Sequence, residues 1–302
     1  MSTGTHDAVK GDLENNGHYP RENEYRQEDY AFKTNSNGGS NGYGLTQAPT
    51  NVTISNEQFE RLYLSPRNAR QEGHLRNTFA NPTPVAVMGF SVALTPIAAA
   101  LMGWRGSGGA GAANATNTAS IWFGGMLLII AGLLEFVLGN TFPFVVFMGY
   151  GSHFLVFATS FIPWYNSVSA YTTGNPYETG SQEQTPAFAA SYGFYPLSLC
   201  ILSFIFLICS FRTNAVFVLI FIAATIGFGC AAGAFFQLAQ GNTVLGTNLL
   251  VGAGGAFWGA AMFGWYLLAA LMFQIMELPI PLLPVFDLSE VIKAKKPKSK
   301  AA

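Results

Sequence analysis

The chain has 302 residues, of which 50% are hydrophobic and 10% charged, with a formal net charge of −1. Soluble domains carry about 25% charged residues, so a water-covered globular fold is excluded for most of the chain. From Pro84 to Met276 the Lys and Arg residues are Arg105 and Arg212, and the acids are Glu135, Glu178 and Glu183. A stretch this poor in charge is built for lipid as its solvent. The basic residues sit mostly in the tails and form no stripe, which argues against nucleic acid as a partner.

Residues 1–80 are rich in Asn, Gly, Ser, Glu and Arg. They cannot bury enough apolar area to offset chain entropy, and are expected to be a disordered, cytosolic N-terminal tail. Ser55 and Gln58 form a capping-box pattern ahead of Phe59, Leu62 and Tyr63, with Pro66 as a stop. That pattern fits a short helix on the membrane or the protein, or a transient helix in a loose tail. No apolar core of a signal peptide stands in this region.

Six apolar segments follow: Val85–Trp104, Ile121–Leu138, Phe142–Pro163, Tyr195–Phe211, Ala215–Leu238 and Leu249–Met276. Each is near the ~20 residues that cross ~30 Å of hydrocarbon, and must be helical, since every backbone group needs an internal partner there. The expected fold class is an all-α membrane protein. A six-helix transmembrane domain spans 81–276 and a basic cytosolic tail spans 277–302.

Arg67, Arg70 and Arg76 precede the first span, Arg212 sits in the fourth-to-fifth turn, and Lys293, Lys295, Lys296, Lys298 and Lys300 follow the last. The positive-inside rule therefore places both termini in the cytosol. Asn114-Ala115-Thr116 is then a glycosylation sequon in the first outer loop. Gly229 and Gly233, and Gly255 and Gly259, have the four-residue spacing that lets helices approach closely in lipid. Within one subunit or between subunits, such faces can pack.

Few residues can carry chemistry. Asn81-Pro82-Thr83-Pro84 opens the first span. Its prolines leave backbone groups free where a solute can meet them, and a helix N-terminus attracts anions, although Pro is also an ordinary first helical residue. Glu135 is an intramembrane acid, hence a candidate proton-binding group, or else it snorkels or pairs with a neighbour such as Arg212. His153 shares a helix face with Tyr150 and is the second candidate proton-binding group, or a neutral packing residue. Cys200, Cys209 and Cys230 lie in apolar runs without disulfide or zinc spacing. No catalytic constellation, metal motif or phosphate-binding loop is present, so neither an enzyme nor a cofactor is expected.

Three stretches carry a family likeness: Ala80 to Phe90, the run Phe123-Gly124-Gly125 through Ala131–Phe136 and Gly139–Phe142 to Tyr150-Gly151-Ser152, and Leu283–Leu288. Over about residues 80–290 the chain resembles the acetate uptake transporter family, which includes bacterial succinate–acetate permeases and fungal acetate or ammonia-export proteins. The resemblance implies six helices around a solute path in each protomer, a homo-oligomer that is a hexamer, and small monocarboxylate solutes, chiefly acetate. It places Asn81 and Pro82 beside the solute and Phe90, Tyr150 and Ala224 at the narrowing. The chain departs from the family pattern at Val85-Ala86-Val87, at Leu128 and Leu271, where polar residues are usual, at Ala224, where leucine is usual, and at His153, where an aromatic is usual.

The expected function is a plasma-membrane transporter or channel for acetate and related monocarboxylates, proton-coupled in one form. Asn81, Tyr150 and Ser152 would offer hydrogen bonds and Phe90 a dewetting constriction. The alternatives are ammonia or ammonium export, which the loss of polar residues suits, and a membrane sensor without transport.

Overall fold

The computed structural model describes residues 79–108, 114–171, 186–281 and 283–288. The short helix expected near Ser55, most of the N-terminal tail, the flanking arginines and the C-terminal lysines lie outside these residues.

Six helices are each long and apolar enough to cross a membrane, and the protein is a multi-pass membrane protein. Helix α1 is Thr83–Leu101, α2 Asn114–Val137, α3 Thr141–Ser160, α4 Pro186–Ser210, α5 Ala215–Ala239 and α6 Thr243–Ile275. The start of α1, the α2–α3 and α4–α5 turns and the end of α6 share one face, called the terminal face below; the opposite face is distal. Three helices begin earlier than their apolar runs: α2 at Asn114 rather than Ile121, α4 at Pro186 rather than Tyr195, and α6 at Thr243 rather than Leu249. Apolarity marks only the part of a helix inside hydrocarbon, and these added distal turns are rich in Asn, Thr, Ala and Gly.

Local chemistry sets the helix ends. The side-chain oxygen of Asn214 accepts from the Phe217 N–H at 3.0 Å and caps α5. Gly139 adopts φ 76° after α2, and Asn140 N–H donates to the Glu135 carbonyl at 2.9 Å, closing a left-handed C-terminal turn. α2 holds a π-helical stretch at Ser120–Leu127, and its Phe123 carbonyl lies against Gly89 of α1. In α4, Pro196 has no N–H for the Tyr192 carbonyl, and the helix divides at Gly193.

The helices form a ring in which α1 packs on α2, α2 on α3, α4 on α5, α5 on α6, and α6 back on α1. Glycines set these approaches. A Cβ at Gly227 would lie 2.4 Å from the Phe257 ring, and one at Gly124 would lie 2.4 Å from the ring of Phe154. Gly254 and Gly264 of α6 meet α1 with equally little room. The glycine pairs picked out by spacing behave differently. A side chain at Gly229 or Gly233 would meet its neighbours at 3.5 Å, and one at Gly255 or Gly259 would meet nothing within 4 Å. Spacing shows that a helix face is smooth, not which way it looks.

After α6 the chain returns across the terminal face. The Tyr266 hydroxyl donates to the Pro284 carbonyl at 2.7 Å, Ala215 N–H to the Val285 carbonyl at 3.1 Å, and Leu288 N–H to the Thr213 carbonyl at 2.9 Å. Val285 is buried in the main core. The tail expected to begin at residue 277 thus opens with a docked segment, because Val285 finds an apolar site and the backbone finds the α4–α5 turn.

Gly227→Leu, which forces a side chain into Phe257, is expected to destabilise by about 1–3 kcal/mol or more. Gly255→Leu is expected to leave the protomer's stability nearly unchanged. Thermal unfolding of the two variants in detergent checks the contrast.

Candidate functional site

Helix α3 packs closely on α2 but faces α4 and α5 across a seam bridged by long side chains. The Tyr150 hydroxyl hydrogen-bonds the Ser203 hydroxyl of α4 at 2.9 Å. The Tyr150 ring stacks on Phe221 and Phe228 of α5, with centroids 6.2 and 6.4 Å away, and meets Phe206 of α4 edge-on. Ala224 lies one turn from each of Phe221 and Phe228 on the same buried face of α5. It is a small residue between two of these rings. Phe90 of α1 is half-buried and meets α3 at Phe154, one turn beyond Tyr150, with centroids 6.5 Å apart. Phe90, Tyr150 and Ala224 therefore all face the aromatic middle of the bundle. Ser152, expected to join them, is exposed on the outer face of α3.

Distal to these rings lies a cavity of about 110 Å³ bounded by α1, α3, α4, α5 and α6. Its wall is mainly Leu, Ile and Phe, and its polar lining groups are His153, Tyr192 and Tyr195. His153 Nδ1 and the Tyr195 hydroxyl are 2.9 Å apart. The imidazole also packs edge-on against Phe228, at 5.0 Å. The Tyr192 hydroxyl is buried without a hydrogen bond. Among the described residues, no Asp, Glu, Lys or Arg lines the cavity.

Glu135 is elsewhere. It is fully buried at the terminal face, where the Thr83 hydroxyl donates to Oε1 and the Asn140 side-chain amide donates to Oε2, each at 2.5 Å. The carboxyl does not snorkel. It clasps the start of α1 to the α2–α3 turn.

The opening of α1 corrects the idea of free amides there. The Asn81 side-chain oxygen accepts from Thr83 N–H at 3.0 Å, while Val85 and Ala86 N–H groups donate to the Pro82 carbonyl at 3.1 and 3.3 Å. Pro82 and Pro84 have no N–H. The Thr83, Val85 and Ala86 N–H groups of this helix start are thus already taken.

Sequence reasoning missed Ser203, Tyr195, Tyr192, Phe221 and Phe228. A hydroxyl or a ring in an apolar helix carries no mark of the direction it faces, and only the rotation of α4 and α5 against α3 brings these together. For Phe221 and Phe228, their spacing around Ala224 was the available signal.

Comparison with known proteins gives four likenesses. The sequence pattern described as the GPR1/FUN34/yaaH family matches residues 65–288. Protein alcS of Aspergillus fumigatus is 43% identical over 81% of this chain and 88% of that protein. Acetate transporter protein patA of Aspergillus clavatus is 25% identical over 76% of this chain and 91% of that protein. Among solved structures, a bacterial acetate channel, SatP, superposes with a TM-score of 0.51 at 22% identity, covering 68% of this chain and 99% of that one. At that identity the likeness shows a shared fold.

Glu135→Ala strips Thr83 and Asn140 of their acceptor and is expected to cost roughly 2–4 kcal/mol. Glu135→Gln keeps the shape and one acceptor oxygen, and is expected to cost clearly less. Thermal unfolding in detergent checks the order; equal loss in both variants would assign the stabilisation to charge rather than to the clasp.

Proposed function

Because the chain belongs to the GPR1/FUN34/yaaH family, we propose that it is a plasma-membrane transporter or channel for acetate and related small monocarboxylates, coupled to a proton. One observation carries this reading. A seam of stacked rings, with a single hydroxyl pair at Tyr150 and Ser203, leads into a cavity of small-solute size. Apolar constrictions with isolated polar groups suit a small, weakly polar solute. In this reading Asn81 and Pro82 shape the terminal mouth, and Phe90, Tyr150 and Ala224 form the narrowing. His153 is the group that meets the proton, and Glu135 holds the mouth in place. Likeness to an acetate transporter and to an acetate channel agrees with it.

The working unit is proposed to be a homo-oligomer, a hexamer as the family resemblance implies. The exposed, smooth face at Gly252 and Gly255 of α6 is a fitting contact. Both termini are placed in the cytosol. Asn114 is exposed on the distal face, which is then extracellular, and glycosylation there is expected. A mobility shift with endoglycosidase that disappears in Asn114→Gln checks the orientation.

The transport test is flux of labelled acetate into proteoliposomes. Ala224→Leu adds bulk between the rings of Phe221 and Phe228 and is expected to cut flux roughly tenfold, about 1.4 kcal/mol of barrier. Tyr150→Ala is expected to alter flux by a similar factor. Unchanged flux in both variants sinks the path. The apolar cavity also suits ammonia, so external alkalinisation is measured in parallel. Ammonia flux without acetate flux would replace the monocarboxylate reading with export of ammonia.

A further inference from the structure

We propose that His153 and Tyr192 form the docking point of the distal cavity, and that it takes a short-chain carboxylic acid in its undissociated form, so that the proton crosses on the solute. This rests on the transport reading and specifies the species that moves.

Electrostatics comes first. The titratable groups facing His153 are Tyr150 on its own helix and Tyr192 and Tyr195 on α4. From α1, α5 and α6 the cavity lining is Leu94, Ile97, Phe228, Phe257 and other apolar residues, with no charge. A carboxylate entering this space loses its hydration and meets no cation, a cost of several kcal/mol. The helix start that might have supplied amides has spent them on Asn81 and Pro82. A neutral acid carries one donor and one acceptor and avoids the penalty.

The polar groups match that pattern. The Tyr192 hydroxyl is buried in the wall of the same cavity beside the Ser160 hydroxyl, with no well-formed hydrogen bond. The Ser160 hydroxyl donates instead to the Val156 carbonyl at 2.7 Å. An unmade hydrogen bond at a buried hydroxyl is costly, and a carbonyl oxygen would satisfy it. His153 supplies the second contact. When the Tyr195 hydroxyl donates to Nδ1, the neutral ring carries its proton on Nε2 and donates. In the other tautomer Nε2 accepts the acid's O–H. The rings of His153, Tyr195 and Tyr192 form one run, with successive centroids 5.8 and 5.7 Å apart.

Size sets the class. A water position needs about 10–15 Å³, so a cavity of about 110 Å³ holds several heavy atoms. That is the size of an acid of about two to four carbons, with its alkyl end on the Leu and Phe wall. A second, ionised carboxylate would find no cation there.

The experiment uses the full chain in proteoliposomes, with protein-free vesicles subtracted. Acetamide is the probe, being a neutral isostere of acetic acid that does not titrate. Acetamide is expected to compete with acetate, and protein-mediated flux at fixed total acetate to fall about tenfold per pH unit above the acid's own pKa. An imposed membrane potential of either sign is expected to change the flux less than about twofold, because no net charge moves. His153→Phe is expected to lower acetate flux about tenfold and remove acetamide competition, and Tyr192→Phe to weaken competition about threefold. Should His153→Phe fail to elute as a folded species, Tyr195→Phe, which frees the imidazole orientation, takes its place with the same expected loss of competition. Flux that follows the membrane potential, acetamide that does not compete, or variants with unchanged competition would each overturn the proposal while leaving acetate transport in place. Wild-type protein that passes no acetate would instead overturn the transport reading itself.

Discussion

Helix contacts in lipid gain nothing from the hydrophobic effect, so close backbone approach must hold this bundle together. Five neighbour pairs in the ring achieve it, several through glycines that leave no room for a Cβ. The remaining boundary, between α3 and the α4–α5 pair, is spanned by rings instead. Tyr150, Phe206, Phe221 and Phe228 hold the helices apart while filling the space between them. The proposed narrowing lies along that boundary, and the cavity lies distal to it. A rigid frame and a held-open seam are two results of one packing rule, applied with small residues in one place and large ones in the other.

The second constraint is the scarcity of polar partners in the interior. Many hydroxyls there are tied to one another or to helix carbonyls, as with Tyr150 and Ser203, or Thr225 and the Phe221 carbonyl at 2.7 Å. Glu135 is tied by two neutral donors. Against that economy, Ser91 and Tyr192 keep hydroxyls without a well-formed hydrogen bond, and that of Tyr192 lies in the cavity wall.

The terminal face is organised by two clasps. Glu135 joins the opening of α1 to the turn before α3. The segment around Val285 joins the end of α6 to the turn before α5. Together they fix the ends of helices whose middle portions bound the seam. Both turns are closed by asparagines, Asn140 and Asn214, whose side chains bond as well as their backbones.

The amino-acid sequence by itself determined the solvent of this protein, the number of its helices and the family to which it belongs. Those follow from composition, from runs of apolar residues and from the local chemistry of proline, glycine and asparagine, all of which act over a few neighbouring positions. It also marked Phe90, Tyr150, Ala224 and His153 as residues of interest. It missed helix starts at Asn114, Pro186 and Thr243, because apolarity reports lipid and not hydrogen bonding. It marked Gly255 and Gly259 as a smooth helix face but not that this face looks away from the other helices of the protomer. The facing of Ser152, the Glu135 clasp and the meeting of His153 with Tyr195 were decided only in the tertiary structure. An all-round apolar helix has no polar stripe to betray its rotation, so the direction of each side chain is set by the neighbours it packs against.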